Sequence, residues 1–326
     1  MEKSLILEKW ELESEELKDN FLGDPSRREN YILYPEKNEN LPIIMFLPGM
    51  MGTSLGALLN YDPLSENLNS RINRLYSSGI LNGSIFVFPD VESSIGGCQY
   101  LNSSVAGNYE NYIVKEMIPQ LKERFNSDSV GILGKSSGGY GSITLGMKHP
   151  DLINAVMDHS GDAYFEYCYL PDFPKARKEI EKYGTAEKWF ENYLKKDNRK
   201  LSVDMDVLNI VAMSAFYSSN DDVIQLPFDV YSGEILDEVW NRWLENDPVR
   251  MLDRYSESLE KMKFVGIDVG LNDQFNLLLG SRIMHRELEK KKIVHFYEEF
   301  EDTHFNIQYR YDISIPKMEK SLLIGE

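Results

Sequence analysis

A mostly parallel sheet of about eight strands, covered by helices on both faces and broken late by a helical insertion, is the architecture this α/β chain predicts. Three observations carry it. Short apolar runs alternate with amphipathic stretches through the first half and again near the end. The alternation breaks from Asp162 to about Glu260, where aromatics and helical spacing take over. A G-x-S-x-G pentapeptide, Gly134-Lys135-Ser136-Ser137-Gly138, stands between an apolar run and a small-residue helix start.

The elements follow in order. Ser4–Glu13 and Glu29–Tyr34 read as strands joined through a polar turn at Gly23-Asp24-Pro25. Leu41–Leu47 is short and apolar throughout, as a strand buried on both faces should be, and ends at Pro48-Gly49-Met50-Met51-Gly52. A helix is expected through Leu64–Ser78, then a buried strand at Ser84–Pro89. Tyr109–Phe125 has helical spacing, with Tyr112, Ile113, Met117, Ile118 and Leu121 on one side. Val130–Leu133 is a strand, a helix follows Ser136, and Asn154–His159 is the next strand. Residues 162–260 form a cap-like helical insertion within one domain spanning 1–326, placed above the carboxyl ends of the strands, where such sheets bind ligands. Lys263–Asp268 resumes the strand pattern, Gln274–Lys290 is a helix, and Ile293–Phe300 is the last strand, leading through a loop to His304.

The 326 residues are enough for one large α/β domain, and a hydrophobic fraction of 42% supplies a sizeable core. No apolar run approaches the ~20 residues a membrane span needs, and the first residues lack the pattern of a signal peptide. Two cysteines make no disulfide framework; with these points they lead to an expected cytoplasmic location. A formal net charge of −18 repels phosphate backbones and anionic lipid, which argues against nucleic-acid and membrane partners. There is no H-E-x-x-H, C-x-x-C or P-loop, so no metal or other cofactor is expected.

The pentapeptide by itself arises by chance in roughly one chain in ten of this length. Its context gives it meaning. A serine on a sharp strand-to-helix turn has its Oγ lifted clear of the sheet, and the N–H of the next residue, Ser137, points where an oxyanion would form. Such a nucleophile needs a general base and an acid to orient it, in chain order Ser, Asp or Glu, His in α/β-hydrolases. His304 follows the last strand and is the candidate base. Asp273 follows the Lys263–Asp268 strand and is the candidate acid, with Asp268 its rival. Among the other histidines, His149 reads as a cap or surface residue, His285 and His295 lie within elements, and His159 precedes the acid, though it could line the site. The second oxyanion donor should come from the loop after Leu41–Leu47, with the N–H of Met50 the candidate and Met51 the alternative.

These segments resemble a known family. Leu47-Pro48-Gly49, Gly134 to Gly141, His159-Ser160-Gly161-Asp162, Tyr169-Leu170-Pro171-Asp172-Phe173 and Thr303-His304-Phe305-Asn306 are similar to the putative-esterase family of α/β-hydrolases. This is the esterase-D-like group, which includes enterochelin esterases, feruloyl esterases, S-formylglutathione hydrolases and mycolyl transferases. Leu22-Gly23-Asp24-Pro25 and Tyr34-Pro35 resemble the family's start. The resemblance implies Ser136 as nucleophile, Asp273 as acid and His304 as base, a small-molecule ester as substrate, and a homodimer. Gly96-Gly97-Cys98-Gln99-Tyr100-Leu101-Asn102 is similar to a stretch of the subgroup most like this chain, with Cys98 a departure. Cys98 and Cys168 read as two separate buried thiols, a disulfide being the alternative.

The expected activity is hydrolysis of a small or medium carboxylic ester through an acyl-enzyme, as a serine esterase. Acyl transfer or thioester hydrolysis on the same three residues is the alternative, and a non-catalytic binding protein on the same fold is a third reading. Specificity should come from the insertion. Asp162, Tyr164 and Phe165 are the candidate substrate-binding residues, with Tyr100 and Asn102 as candidates for the pocket rim.

Overall fold

Leu47, Lys135, His159, Gly270 and Phe300 end five parallel strands on one edge of a single sheet, and the loops that follow them build the site. The computed structural model describes residues 4–59, 63–199, 201–220 and 223–323, with 201–203 as backbone only. Among these residues the strands are β1 (Ile6–Glu13), β2 (Arg27–Tyr34), β3 (Ile43–Leu47), β4 (Ile85–Phe88), β5 (Asn102–Ser103), β6 (Gly107–Asn108), β7 (Val130–Lys135), β8 (Ala155–His159), β9 (Phe264–Gly270) and β10 (Phe296–Phe300). β5 and β6 form a separate two-stranded ribbon. The other eight make one sheet in the order β1-β2-β4-β3-β7-β8-β9-β10. The β1–β2 and β2–β4 pairings are antiparallel, and the remaining five are parallel.

Sequence dictates which strands lie in the middle. β3 (IIMFL), β4 (IFVF) and β8 (AVMDH) are buried at every residue, because helices cover both faces of a parallel sheet. The edge strand β1 instead alternates and leaves most of its residues in solvent. On one face Phe46, Phe86, Phe88 and Leu133 pack against the helices Leu68–Ser77 and Tyr311–Leu323. On the other, Met45, Val87 and Ile132 pack with the elements that follow Ser136 and with the helical segment.

That segment lies between β8 and β9 and carries helices Phe165–Cys168, Phe173–Ile180, Ala186–Leu194, Leu201–Tyr217, Asp237–Leu244 and Pro248–Glu260. Its interior is aromatic: Tyr169 meets Trp243 edge-on at 5.4 Å, and Phe173 meets Trp240 edge-on at 5.5 Å. The buried Asp247 caps Pro248–Glu260 through the Val249 N–H (3.0 Å) and also accepts from the N–H groups of Tyr164 and Phe165. One carboxylate thus ties the start of the segment to its last helix. Asp247 is held by Arg250 as well.

The structure departs from the expected elements in places with physical causes. Tyr109–Phe125 is helical throughout but contains a π-helical turn, Tyr112–Met117, where an extra residue is absorbed just before Pro119. The final helix, Tyr311–Leu323, contains Pro316, which breaks the helical signal in sequence. His295 lies just ahead of β10 rather than inside it, and its ring nitrogen meets His285 at 2.7 Å. Among the described residues no helix is long and apolar enough to cross a membrane.

Candidate active site

Ser136 occupies the turn between β7 and the helix Ser137–Lys148, with φ 59° and ψ −125°. For a residue with a side chain this backbone costs on the order of 1–3 kcal/mol and persists only where the surroundings impose it. They do so here. The Ser136 N–H donates to the His159 carbonyl at 2.9 Å, and its own carbonyl accepts from the Tyr140 N–H at 2.9 Å. A Cβ at Gly138 would fall on the Leu47 carbonyl oxygen, and one at Gly134 would fall on the Gly138 backbone. The two glycines flanking Ser136 therefore let the helix start sit directly on β3.

The loop after β3 lies beside this turn. A Cβ at Gly49 would stand 2.8 Å from the Lys135 carbonyl oxygen, so only glycine lets the loop approach so closely. The Met51 N–H donates to the Gly96 carbonyl at 2.7 Å and is thereby occupied. The Met50 and Ser137 N–H groups have no backbone acceptor among the described residues, Ser137 being the first residue of its helix. Tyr100 fastens the loop from behind: its Oη donates to the Pro48 carbonyl at 2.6 Å, and its ring fills the space a Cβ on Gly141 would need.

Asp273 and His304 meet. His304 Nδ1 lies 2.7 Å from Asp273 Oδ2, and both side chains are buried. With the carboxylate ionised, Nδ1 carries the proton, which leaves Nε2 as the basic nitrogen of the ring. Asp273 Oδ1 accepts from the Phe275 N–H at 2.9 Å, and Gln274 Oε1 accepts from the His304 N–H at 2.9 Å. Phe275 (4.8 Å) and Phe305 (5.4 Å) stand edge-on to the imidazole and hold its plane. The rival acid is engaged elsewhere. Asp268 takes His159 Nδ1 at 2.6 Å and Arg310 Nε at 2.9 Å, while the other nitrogen of His159 meets Ser314 Oγ at 3.0 Å. His159 is thus part of a buried polar group under the last helix, not of the cleft wall.

Ser136, Ser137, Met50 and His304 line one cleft of about 970 Å3, together with Asp162, Cys168, Tyr169 and Asp172. Met51 lines it too, whereas the other candidate substrate-binding residues stand apart from it. Tyr100 and Phe165 are fully buried behind the wall. Tyr164 faces Tyr167 and the Arg250 guanidinium. Asn102 caps the Asn111 N–H at 3.0 Å and lines a different depression with Glu110 and Lys148. Phe165 is drawn inward because the aromatic rings of the helical segment between β8 and β9 pack on one another as its core. Cys98 and Cys168 are free and buried, and burial pushes both thiols up, Cys98 to about 12.

Sequence reasoning passed over several groups in and behind the cleft wall. Lys135, inside the pentapeptide itself, lies over the Phe305 ring at 5.4 Å, and burial lowers its pKa to about 8. Gln99 and Tyr169 both donate to Asp162. Among the described residues no group of His, Cys, Asp or Glu could hold a metal ion.

A serine on a strand-turn-helix elbow, with a carboxylate–histidine pair delivered to the same sheet edge in the order Ser, Asp, His, is the arrangement of an α/β-hydrolase. Solved structures of the same fold include a ferulic acid esterase (15% identity, 98% of this chain and 99% of that one, TM-score 0.61). Others are an S-formylglutathione hydrolase from Agrobacterium tumefaciens (14%, 99% and 97%, 0.61) and the fluorophosphonate-binding serine hydrolase F of Staphylococcus aureus (14%, 98% and 98%, 0.57). No curated protein matches the chain by sequence. The family model described as "putative esterase" matches residues 25–314, and the chain belongs to that family. It is a carboxylic ester hydrolase.

Proposed function

We propose that the protein is a serine carboxylesterase acting on a small or medium ester through an acyl-enzyme, with Ser136, His304 and Asp273 as its catalytic residues. His304 Nε2 takes the proton from Ser136 Oγ as the oxygen attacks the ester carbonyl, and Asp273 stabilises the imidazolium that results. The oxyanion is held by the N–H groups of Ser137 and Met50. His304 then returns its proton to the departing alkoxide, and a water molecule activated by the same nitrogen releases the acid and restores Ser136. The helical insertion over residues 162–260 serves as a cap that shapes the substrate end of the cleft, and the cytoplasm is the proposed location.

The observation that carries this reading is the shared cleft: a serine in a backbone conformation that only its surroundings can sustain, opening onto the same cavity as the buried His304–Asp273 pair. The occupied N–H of Met51 favours Met50 as the loop donor. The test is Ser136→Ala, with folding checked by thermal melting. Hydrolysis of p-nitrophenyl acetate should fall at least 10^3-fold, and labelling by a fluorophosphonate should disappear. Activity retained in that variant removes Ser136 from the mechanism.

A further inference from the structure

Asp162 is the cleft group whose chemistry the ester hydrolysis above does not use. It is nine-tenths buried, yet it lines the same cavity as Ser136 and His304. Its Oδ2 accepts from Gln99 Nε2 at 3.1 Å and from Tyr169 Oη at 3.0 Å. Its Oδ1 takes no hydrogen bond from the described residues. Both donors are themselves fixed. Gln99 is fully buried and also reaches Tyr217 Oη at 3.0 Å, and the Tyr169 ring is wedged edge-on between Phe165 (4.9 Å) and Trp243 (5.4 Å). The carboxyl is therefore fixed at the cavity wall, with one oxygen that has no protein donor among the described residues.

The charge around it is one-sided. Among the described residues no lysine or arginine forms an ion pair with Asp162; its two protein donors are neutral. Burial holds its pKa above the usual carboxylate range, against the bonds from Gln99 and Tyr169 that pull it down. Asp172 and Asp206 line the same cavity. Asp206 is paired with Lys175, whereas Asp172 is pushed up to about 6 by burial and by the Asp206 charge. The cations of the cleft are spoken for: Arg71 is tied to Glu66 and Asp312, and Lys135 lies over Phe305. A carboxylate oxygen with no protein donor, on a cavity wall with excess negative charge, is complementary to a cationic donor.

We propose that this wall seats an ammonium group, so that the ester turned over carries a protonated amine on one arm, received by Asp162 Oδ1. The inference rests on the ester-hydrolase reading and names the substrate class of that same cleft. Asp162 acts as a specificity residue: it places the amine-bearing arm, and the chemistry at Ser136 is unaltered.

The test compares n-alkylammonium ions of two to six carbons with the alcohols and carboxylates of equal length. Binding is read as competitive inhibition of p-nitrophenyl acetate hydrolysis and as ligand-dependent rise in melting temperature, which needs no turnover. In the wild-type protein the best ammonium ion should bind at least tenfold more tightly than its alcohol, with the carboxylate weakest. Asp162→Asn, which keeps an acceptor for Gln99 and Tyr169, should bring the ammonium-to-alcohol ratio close to one. Equal binding of ammonium and alcohol by the wild type overturns the proposal, as does a preference that survives Asp162→Asn. Either result leaves the ester-hydrolase reading standing, since that reading is tested only at Ser136. Loss of the underlying reading is recognised separately, by hydrolysis that persists in Ser136→Ala.

Discussion

Two buried aspartates five residues apart should fail in opposite ways. Asp273 holds His304 (2.7 Å), and Asp268 holds His159 (2.6 Å) and Arg310 (2.9 Å). In Asp273→Asn one oxygen remains for the Phe275 N–H, but His304 Nδ1 now faces an amide NH2. The ring must then protonate Nε2 and leave Nδ1 bare, so it cannot accept the Ser136 proton. The expected loss in kcat is about 10^4, or roughly 5 kcal/mol of barrier, with little change in fold. Asp268→Asn instead removes the charge opposite a buried guanidinium and a buried imidazole. Breaking such a pair costs about 3–5 kcal/mol of stability. For a chain of 326 residues this lowers the melting temperature by about 4–7 °C. Per folded molecule, kcat should then stay within a few-fold of wild type. Steady-state hydrolysis of p-nitrophenyl acetate at a temperature where all three proteins are folded, with thermal melts in the same buffer, separates the two effects. The reasoning fails if Asp268→Asn costs more kcat than Asp273→Asn, or if Asp273→Asn keeps more than a tenth of it.

Tyr100→Phe removes the hydroxyl that fastens the Pro48 carbonyl. It should cost about 1 kcal/mol of stability and, by loosening the loop that carries the Met50 N–H, lower kcat about tenfold with KM little changed; an unaltered kcat would mean the loop is held by Gly49 packing alone. Lys135 has its pKa lowered from 10.5 to about 8 by burial, so folding disfavours its charged form. That penalty is full below about pH 8 and fades as pH rises toward 10.5. Lys135→Met should therefore raise stability by roughly 2–3 kcal/mol at pH 7, with the gain shrinking through that window. Denaturant titrations at pH 7 and pH 10 check this, and a gain that grows with pH would contradict it.

Local rules made much of the chain legible. β3, β4 and β8 are apolar at nearly every position because both their faces meet helices, and that needs no knowledge of what the helices are. The elbow was legible because its backbone tolerates so few sequences: Gly134 and Gly138 are demanded by contacts within a few residues and by the neighbouring strand. The proposed order Ser136, Asp273, His304 was legible from topology, since each successive parallel strand delivers its trailing loop to the same edge. Tertiary structure alone shows how residues distant in the chain compete for partners. Position in sequence favours Asp273, in the loop past the strand, over Asp268 at the strand end; in the fold Arg310 and His159 approach Asp268, and His304 approaches Asp273. Met50 is the sequence's candidate donor and Met51 the alternative; in the fold the Met51 N–H is taken by the Gly96 carbonyl, about 45 residues away. The insertion shows the same limit most fully. Its aromatics announce a packed helical segment, but a ring at Phe165 and one at Tyr169 look alike in sequence. Which of them fills the core and which reaches Asp162 depends on how Trp243 and Tyr217 pack against them across more than forty residues. Short-range sterics and hydrophobic period are written residue by residue, whereas the pairing of buried polar groups is decided by the closing of the fold.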